Sequence, residues 1–526
     1  MSTAAERYQL LQTDRNSVLN AARAAAKVTI PGLIPEQGSS NPHDSTTQPW
    51  ENLGARGVNN VAAKLLVSLF PPQRPFFRLE IDADTAQQMG SKLGAAQDAL
   101  AQISQKGQRL IEASGSRPMW MEVFRHLVVA GNIVLYHPDD GTRMRVWRLD
   151  QFVVRRDAQG NFLEIVIEEE VYPSELDPEV LAAVGLDKNT EDAKDAEPAD
   201  AEEKKIKLYT WVERIGDQIV HFQEINGVEV PDSRGTAKAT ETGWQALRWQ
   251  AVPGSDYGRS MVTEYAGDFL SLEEGWQAVI KFAAEAARII TIVDPNAGVD
   301  VEELADAETG DHLTGFVEKI SKLGLDKSAD FGVLWNVLQA IERRLSSAFL
   351  LTADTIRDAE RVTAEEIRAV AQELEDAFGG TYTVLSDEAQ APYARRVLYI
   401  LTKQKKAPPL PADVTPQIVT GFAALGQNTE VQAIEDWLKF LVELFTPKVV
   451  ADKLDFEEIA LRTGEGRAIT DVKGMLLDAQ TQAQNSAADQ QAAVTQEVAP
   501  EVVKQGMKSL ADNPQIQEAI SGQAQQ

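Results

Sequence analysis

Arg361-Val-Thr-Ala-Glu-Glu-Ile-Arg368 opens a long amphipathic helix directly after a polar, charged loop. Thr363 and Glu366 have the spacing of a capping box: the threonine oxygen accepts from one orphan backbone N–H, and the glutamate reaches back for another. Apolar residues follow at Ile367, Val370, Leu374, Phe378, Tyr382 and Leu385, at helical intervals, as the stretch runs on to Pro392. Gly379 and Gly380 interrupt the run, and two consecutive glycines are where a long helix bends, so they are the hinge candidates. A capped, bendable helix behind a charged loop suits a movable constriction. It equally suits an ordinary surface helix with a kink.

The chain around this helix has 526 residues, too many for one hydrophobic core, and about two to four domains are expected. A hydrophobic share of 43% with 25% charged residues describes soluble globular protein. Cysteine is absent, which excludes disulfides, thiolate nucleophiles and cysteine-ligated zinc or iron–sulfur sites. The start, Met1-Ser-Thr-Ala-Ala-Glu6, has no basic-then-apolar signal pattern. The longest apolar run, Leu127 to Tyr136, is too short and too interrupted to span a bilayer, so no membrane partner is expected. The formal net charge of −29 sets the outer surface against nucleic acid and anionic membranes. That argues against a sequence-reading DNA binder but not against a conduit, for which tight, salt-sensitive phosphate binding would be the wrong property.

Along the chain, helices are expected over 4–27, 50–70, 87–113 and 119–130, with a strand at 76–81. Between Gly131 and Gln250 the pattern turns to short β-branched strands at 133–137, 144–148, 152–156, 163–171, 206–212 and 219–224. Asp157-Ala-Gln-Gly160 has hairpin-turn chemistry, and Asp187 to Glu203 is too hydrophilic to pack. Helix returns at Met261 and runs to Ile292, about 30 residues and roughly 45 Å if continuous. A small mixed insert follows, then a second helix from Gly332 to Leu351 and the charged loop 352–360. The leading helix extends to Lys405, before a linker and further helices at 418–425, 431–444 and 456–462. From Ala479 the chain is rich in glutamine and alanine, a composition that reads as a loosely ordered tail. The fold class is therefore α+β, mainly helical.

Catalytic chemistry finds no foothold. There is no phosphate loop of the Gly-x-x-x-x-Gly-Lys-Ser/Thr type and no His-Glu-x-x-His. His137-Pro-Asp-Asp-Gly141 offers a histidine and carboxylates to a metal, but it is ordinary turn chemistry after a strand. No nucleophile, base and acid assemble into a set, so no enzyme, cofactor or metal is expected.

Several blocks join the Thr363 helix in a recognisable order. Gln48-Pro-Trp-Glu-Asn-Leu-Gly-Ala-Arg-Gly-Val-Asn-Asn60 precedes a helix ending Leu-Phe-Pro71. Leu127-Val-Val-Ala-Gly-Asn132 precedes a strand and is followed by Arg148-Leu-Asp-Gln-Phe-Val-Val-Arg-Arg-Asp157. Tyr257-Gly-Arg-Ser260 opens the helix that carries Glu264-Tyr265 and Ser271-Leu-Glu-Glu274. With Arg361 to Arg368, these blocks resemble the portal proteins, or head-to-tail connectors, of short-tailed, autographivirus-type bacteriophages. The similarity runs from Tyr8 to Ala424. The acidic insert near Asp187 and the C-terminal region match poorly.

The resemblance implies the phage portal fold with wing, stem, clip and crown regions, assembled as a ring of twelve copies at one capsid vertex of the virion. Double-stranded DNA would pass through the hole, bound without regard to sequence. Terminase and then tail adaptor proteins would dock on it, with major capsid, scaffolding and internal core proteins as neighbours, and assembly would take place in the host cytoplasm. Carried onto this chain, residues 1–260 are the wing, 261–292 the first stem helix, 293–331 the clip and 332–351 the second stem helix. Residues 352–360 are the channel loop, 361–410 the long wing helix, 411–478 the crown and 479–526 a flexible tail. Basic residues on these elements are the candidates for DNA contact: Lys281, Arg343, Arg344, Arg357, Arg361 and Arg368. Arg343 and Arg344 have a plainer reading, pairing with Glu342 or with a neighbouring subunit. The competing class is a non-portal virion structural protein, a scaffold or internal core protein.

Overall fold

Thr3 starts the first helix. Its hydroxyl accepts from Glu6 N at 3.2 Å, and the Glu6 carboxylate accepts from Thr3 N at 3.1 Å. The computed structural model describes residues 3–39, 43, 48–72, 75–81, 93–186, 204–286, 290–294, 300–307, 312, 314, 316, 320–323, 328–351, 364–407, 417–419, 427–445, 454, 459–460 and 463. The chain divides into two units, 1–425 and 426–526.

In the first unit the order is α1 (Ala4–Lys27), α2 (Leu53–Leu69), β1 (Arg78–Glu80), α3 (Leu93–Ser114) and α4 (Arg117–Ala130). Then come β2 (Asn132–Tyr136), β3 (Arg145–Trp147), β4 (Phe152–Arg156), β5 (Phe162–Val171) and the short α5 (Pro178–Ala183). They are followed by β6 (Ile206–Ile215), β7 (Gln218–Ile225), β8 (Val228–Glu229), β9 (Gly235–Lys238) and β10 (Trp244–Arg248). The remainder is α6 (Met261–Glu264), α7 (Ala266–Ala286), β11 (Ile290–Val293), α8 (Val301–Asp306), β12 (Ile320–Leu323), α9 (Ser328–Ala348), α10 (Ala364–Phe378), α11 (Gly380–Leu385), α12 (Ala391–Lys403) and β13 (Gln417–Val419). In the second unit, α13 (Gln427–Leu444) is the one long described helix.

Four antiparallel sheets result among the described residues. β4 to β8 form a ladder in chain order with β9 also on β7, β10-β2-β3 form a second sheet, and β1-β13 and β11-β12 are two-stranded. Asp157 makes the β4–β5 hairpin turn as its sequence predicts: Asp157 N donates to Asn161 O at 2.9 Å, and Gly160 adopts φ 89°. α1 lies on the larger sheet, with Ala4, Tyr8 and Leu11 buried against Val153, Val166 and Tyr209. Arg7 grips Glu164 through two bonds of 2.7 Å, a bidentate geometry that fixes the register of α1 on the sheet.

The main core packs α2, α4 and α12 around an aromatic group. Phe70, Phe76, Trp120, Phe124 and Tyr393 stand 4.2–6.1 Å apart, ring to ring. The blocks that carry the resemblance meet here as joints. Gly131, at φ 74°, ends α4, and a Cβ there would lie 2.7 Å from the Arg259 carbonyl carbon. Asn132 exchanges bonds with Gly258, donating at 2.8 Å and accepting at 2.7 Å. The Tyr257 hydroxyl accepts from Val154 N at 3.1 Å.

Three expectations are corrected. The run from 261 to 292 is not one helix. It breaks at Tyr265, stops at Ala286, and Ile290-Thr-Ile-Val293 is a strand paired with Ile320–Leu323. β-Branched residues lose side-chain freedom in a helix and fit a pleated ladder, and here a ladder partner is available. The second helix of the pair begins at Ser328 rather than Gly332 and ends at Ala348. Residues Gln417–Val419 do not start a helix; they pair with Arg78–Glu80. The expected cap Thr363 and the segment 187–203 lie outside the described residues.

Candidate channel-lining helices

α7 and α9 form an antiparallel pair. Asp268 meets Arg344 at 2.6 Å, and Trp276 meets Trp335 edge-on with ring centres 5.5 Å apart. Gly275 lets the helices close at mid-length, because a Cβ there would lie 2.3 Å from Leu338 Cδ2. Phe269, Leu272, Leu338, Ile341, Leu345 and Phe349 fill the seam. Trp276 Nε1 donates to Glu342 at 3.0 Å, so Glu342 serves the indole rather than its neighbouring arginines. β11 and β12, which fall between the two helices in sequence, pair as a ladder with Ile290 opposite Leu323.

The segment just before α2 docks on this pair. Trp50 N donates to Glu273 at 3.0 Å, and Glu51 accepts from Leu53 N and Gly54 N. Burial raises the Glu51 carboxyl above the usual range, and the charges of Glu273 and Glu342 add to the rise.

The sequence candidates do not converge. Arg344 is exposed and paired with Asp268, while Arg343 and Lys281 are exposed and make no ion pair among the described residues. Lys281 lies 13 residues along α7 from Asp268, the partner of Arg344, a separation of roughly 20 Å along the helix axis. The two ends of the pair therefore carry separate basic positions. Arg368 lies on the backbone of α10, and Arg357 and Arg361 lie outside the described residues.

The long helix does break where the glycines stand. α10 ends at Phe378, and Gly379 takes φ 47° and ψ −118°, a conformation that essentially only glycine adopts. α11 follows, then one π-helical turn, Ser386–Gln390, then α12 with Pro392 in its first turn. Proline supplies no N–H to the ladder, and a π-turn just before it takes up the mismatch.

At the other end, α9 closes with Leu350 at φ 55° and a bond of 2.8 Å from Leu351 N to Ser346 O, a Schellman-type ending. A cavity of about 900 Å³ opens between the α6–α7 junction, the end of α9 and one face of α10. Glu264, Tyr265, Leu350, Glu373 and Asp376 are among its walls.

The family described as "Bacteriophage head to tail connecting protein" matches residues 1–469. The chain belongs to that family. It is 34% identical to the portal protein of Escherichia phage T7 over 515 residues, covering 96% of this chain and 93% of the relative. It is 36% identical to that of Enterobacteria phage T3 over 490 residues, covering 90% and 88%. It is 31% identical to that of Pseudomonas phage phiKMV over 453 residues, covering 82% and 84%. A chain from the neck of an empty gene transfer agent particle aligns with a TM-score of 0.38 and 12% identity, over 79% of this chain and 90% of that one, too distant to bear on the argument.

As a phage portal protein, the chain carries further polar contacts outside the six basic residues named from sequence. Asn60 and Lys64 on α2 reach the end of α9, and Arg396 on α12 is buried and donates to His137 O at 3.0 and 2.9 Å. Arg396 also pairs with Asp139, so the Pro-Asp-Asp-Gly turn is an anchor for α12. The signal for Asn60 and Lys64 was in the sequence: polar residues four apart, with Ser68 four further on, on an otherwise largely apolar helix.

Proposed function

We propose that copies of this chain close into a ring, twelve by resemblance, at one vertex of the capsid, and that double-stranded DNA enters and leaves through the hole. The observation that carries this reading is the apolar surface on the flanks of the α7–α9 pair. Val333 is 67% exposed, Leu270 52%, Val337 50% and Trp335 43%; on α9, Val333 and Val337 lie to one side of the packed seam and Trp335 to the other. Two helices with large apolar side chains beside their seam as well as in it need further helices beside them. Copies of the same pair supply them when each subunit offers two different faces and the rotation closes.

In this reading α6, α7 and α9 are the stem, 293–331 is the clip, residues 1–260 with the long helix are the wing, and 411–478 is the crown. Terminase, then tail adaptor proteins, dock at the clip, and capsid, scaffolding and internal core proteins surround the wing and crown. Each channel-facing cation is repeated once per copy, so Arg343, Arg344, Lys281, Arg357, Arg361 and Arg368 need only few inward-facing members to make a band of charge that touches phosphate without reading bases.

The double substitution Val333→Glu with Val337→Glu, on one flank of α9, tests the interface. Single-particle mass measurement is expected to show the parent as a closed oligomer and the variant as monomer with unchanged helix content. A variant that still assembles as the parent does would remove this face from the ring.

A further inference from the structure

Gly57, Asn60, Lys64 and Ser68 recur at three- and four-residue steps along α2 and so form one stripe. Every member touches the helices that follow. Gly57 lies against the Phe349 ring, where a Cβ would come to 3.0 Å. Asn60 Nδ2 donates to Phe349 O at 3.0 Å and Leu350 O at 2.8 Å. Lys64 Nζ donates to Leu350 O at 3.3 Å and to Glu373 Oε2 at 2.6 Å. Ser68 shares a hydrogen bond of 2.6 Å with the Tyr382 hydroxyl. Read from one end, the stripe crosses from the end of α9 to α10 and on to α11.

Lys64 is the member with no ordinary explanation. Its side chain is 4% exposed, against 35% for Glu373. A buried ammonium is costly to desolvate, and an apolar side chain of the same length would fill the site without that cost. The ammonium does what an apolar group cannot: it bonds a backbone carbonyl in the turn that ends α9 and a carboxylate of α10 at once. Among the described residues, a cavity of about 900 Å³ lies here, with Ser347 and Leu350 and also Gln372, Glu373 and Asp376 in its walls.

We propose that Lys64 is a positioning residue that locks the end of α9 to α10, so that the stem and the long helix keep one spacing, and that DNA passage depends on this lock while ring closure does not. The proposal rests on the portal reading above.

The test uses the full chain, in particles assembled with it as the sole portal protein. Lys64→Met alone leaves Glu373 unpaired and is expected to lower the thermal midpoint. Lys64→Met with Glu373→Met replaces the pair by apolar groups and is expected to restore the midpoint, with rings indistinguishable from the parent's in end-on micrographs. Filled particles should nevertheless fall about tenfold with the double variant, a size that coupling through a packed network can carry. Filled particles at the parent level, with the midpoint restored, would reduce Lys64 to a structural role and overturn the proposal. Should the Met variants fail to fold, Lys64→Arg is read in the same way: it keeps the charge but shifts the donors, so fewer filled particles from normal rings support the lock and parent-level filling overturns it. A parent chain that forms no ring would instead be a failure of the portal reading, seen before any variant is made.

Discussion

His126 and His137 are the residues whose burial costs most when the pH falls. Both are buried, and desolvation pushes the first down to about 4 and the second to about 3. For His126, Arg148 and Arg125 oppose protonation and Asp150 favours it; for His137, Arg396 opposes it. In the unfolded chain both imidazoles take a proton near pH 6.5, so the unfolded state binds more protons below that value. Stability is thus fully present above about pH 6.5 and falls toward pH 4, by up to about 1.4 kcal/mol per pH unit for each histidine. Denaturant midpoints measured between these limits should show the slope, and His137→Phe, which keeps a ring against Tyr393 4.2 Å away, should lessen it. An unchanged slope would mean that His137 is protonated when folded. None of this was visible in sequence, where the histidines are scattered; burial arises only once α4, β2 and α12 meet.

Helices and strands differ in how plainly the chain declares them. α1 was legible from end to end, because its apolar positions repeat at one period and Pro31 follows its end. β4 to β7 were legible to within about three residues, because alternation and turn residues bound them. Ile290–Val293 and Gln417–Val419 were not, because a short apolar run continues a helical pattern as well as it makes a strand. Their partners, Ile320–Leu323 and Arg78–Glu80, decide the matter from far along the chain. β8, β9 and β10 escaped for a related reason, being held by β7 and β2 rather than by their own pattern.

The glycine pair separates sharply at this scale. Gly379 alone has the glycine-only backbone, whereas Gly380 is an ordinary first helical residue with nothing within 4 Å of a new Cβ. Gly379→Ala should destabilise by about 1–3 kcal/mol, and Gly380→Ala should stabilise by about 0.4–1 kcal/mol. Equal effects in a thermal melt would count against the break at Gly379. As for the candidate site, the basic residues could be named from sequence but not placed. Their direction depends on the seam between α7 and α9, and then on neighbours beyond one chain.

For the whole molecule, each copy brings a net charge of −29 to any assembly. Bringing many such copies together costs repulsion that salt screens, since the Debye length falls from about 10 Å at 0.1 M to about 3 Å at 1 M. Oligomer formation should therefore strengthen as salt rises over that range, while any attraction of the free chain to DNA should weaken. Mass measurement across a salt series reads the first effect, and dissociation with added salt would show that ion pairs rather than apolar faces hold the copies together.

If many copies close into a ring, function belongs to the hole they enclose. Averaged electron micrographs of the purified full-length chain, viewed end-on, distinguish that arrangement from any other. A closed annulus with rotational symmetry and a central opening wide enough for a DNA duplex is expected. Single copies, or an open stack without an opening, would contradict it.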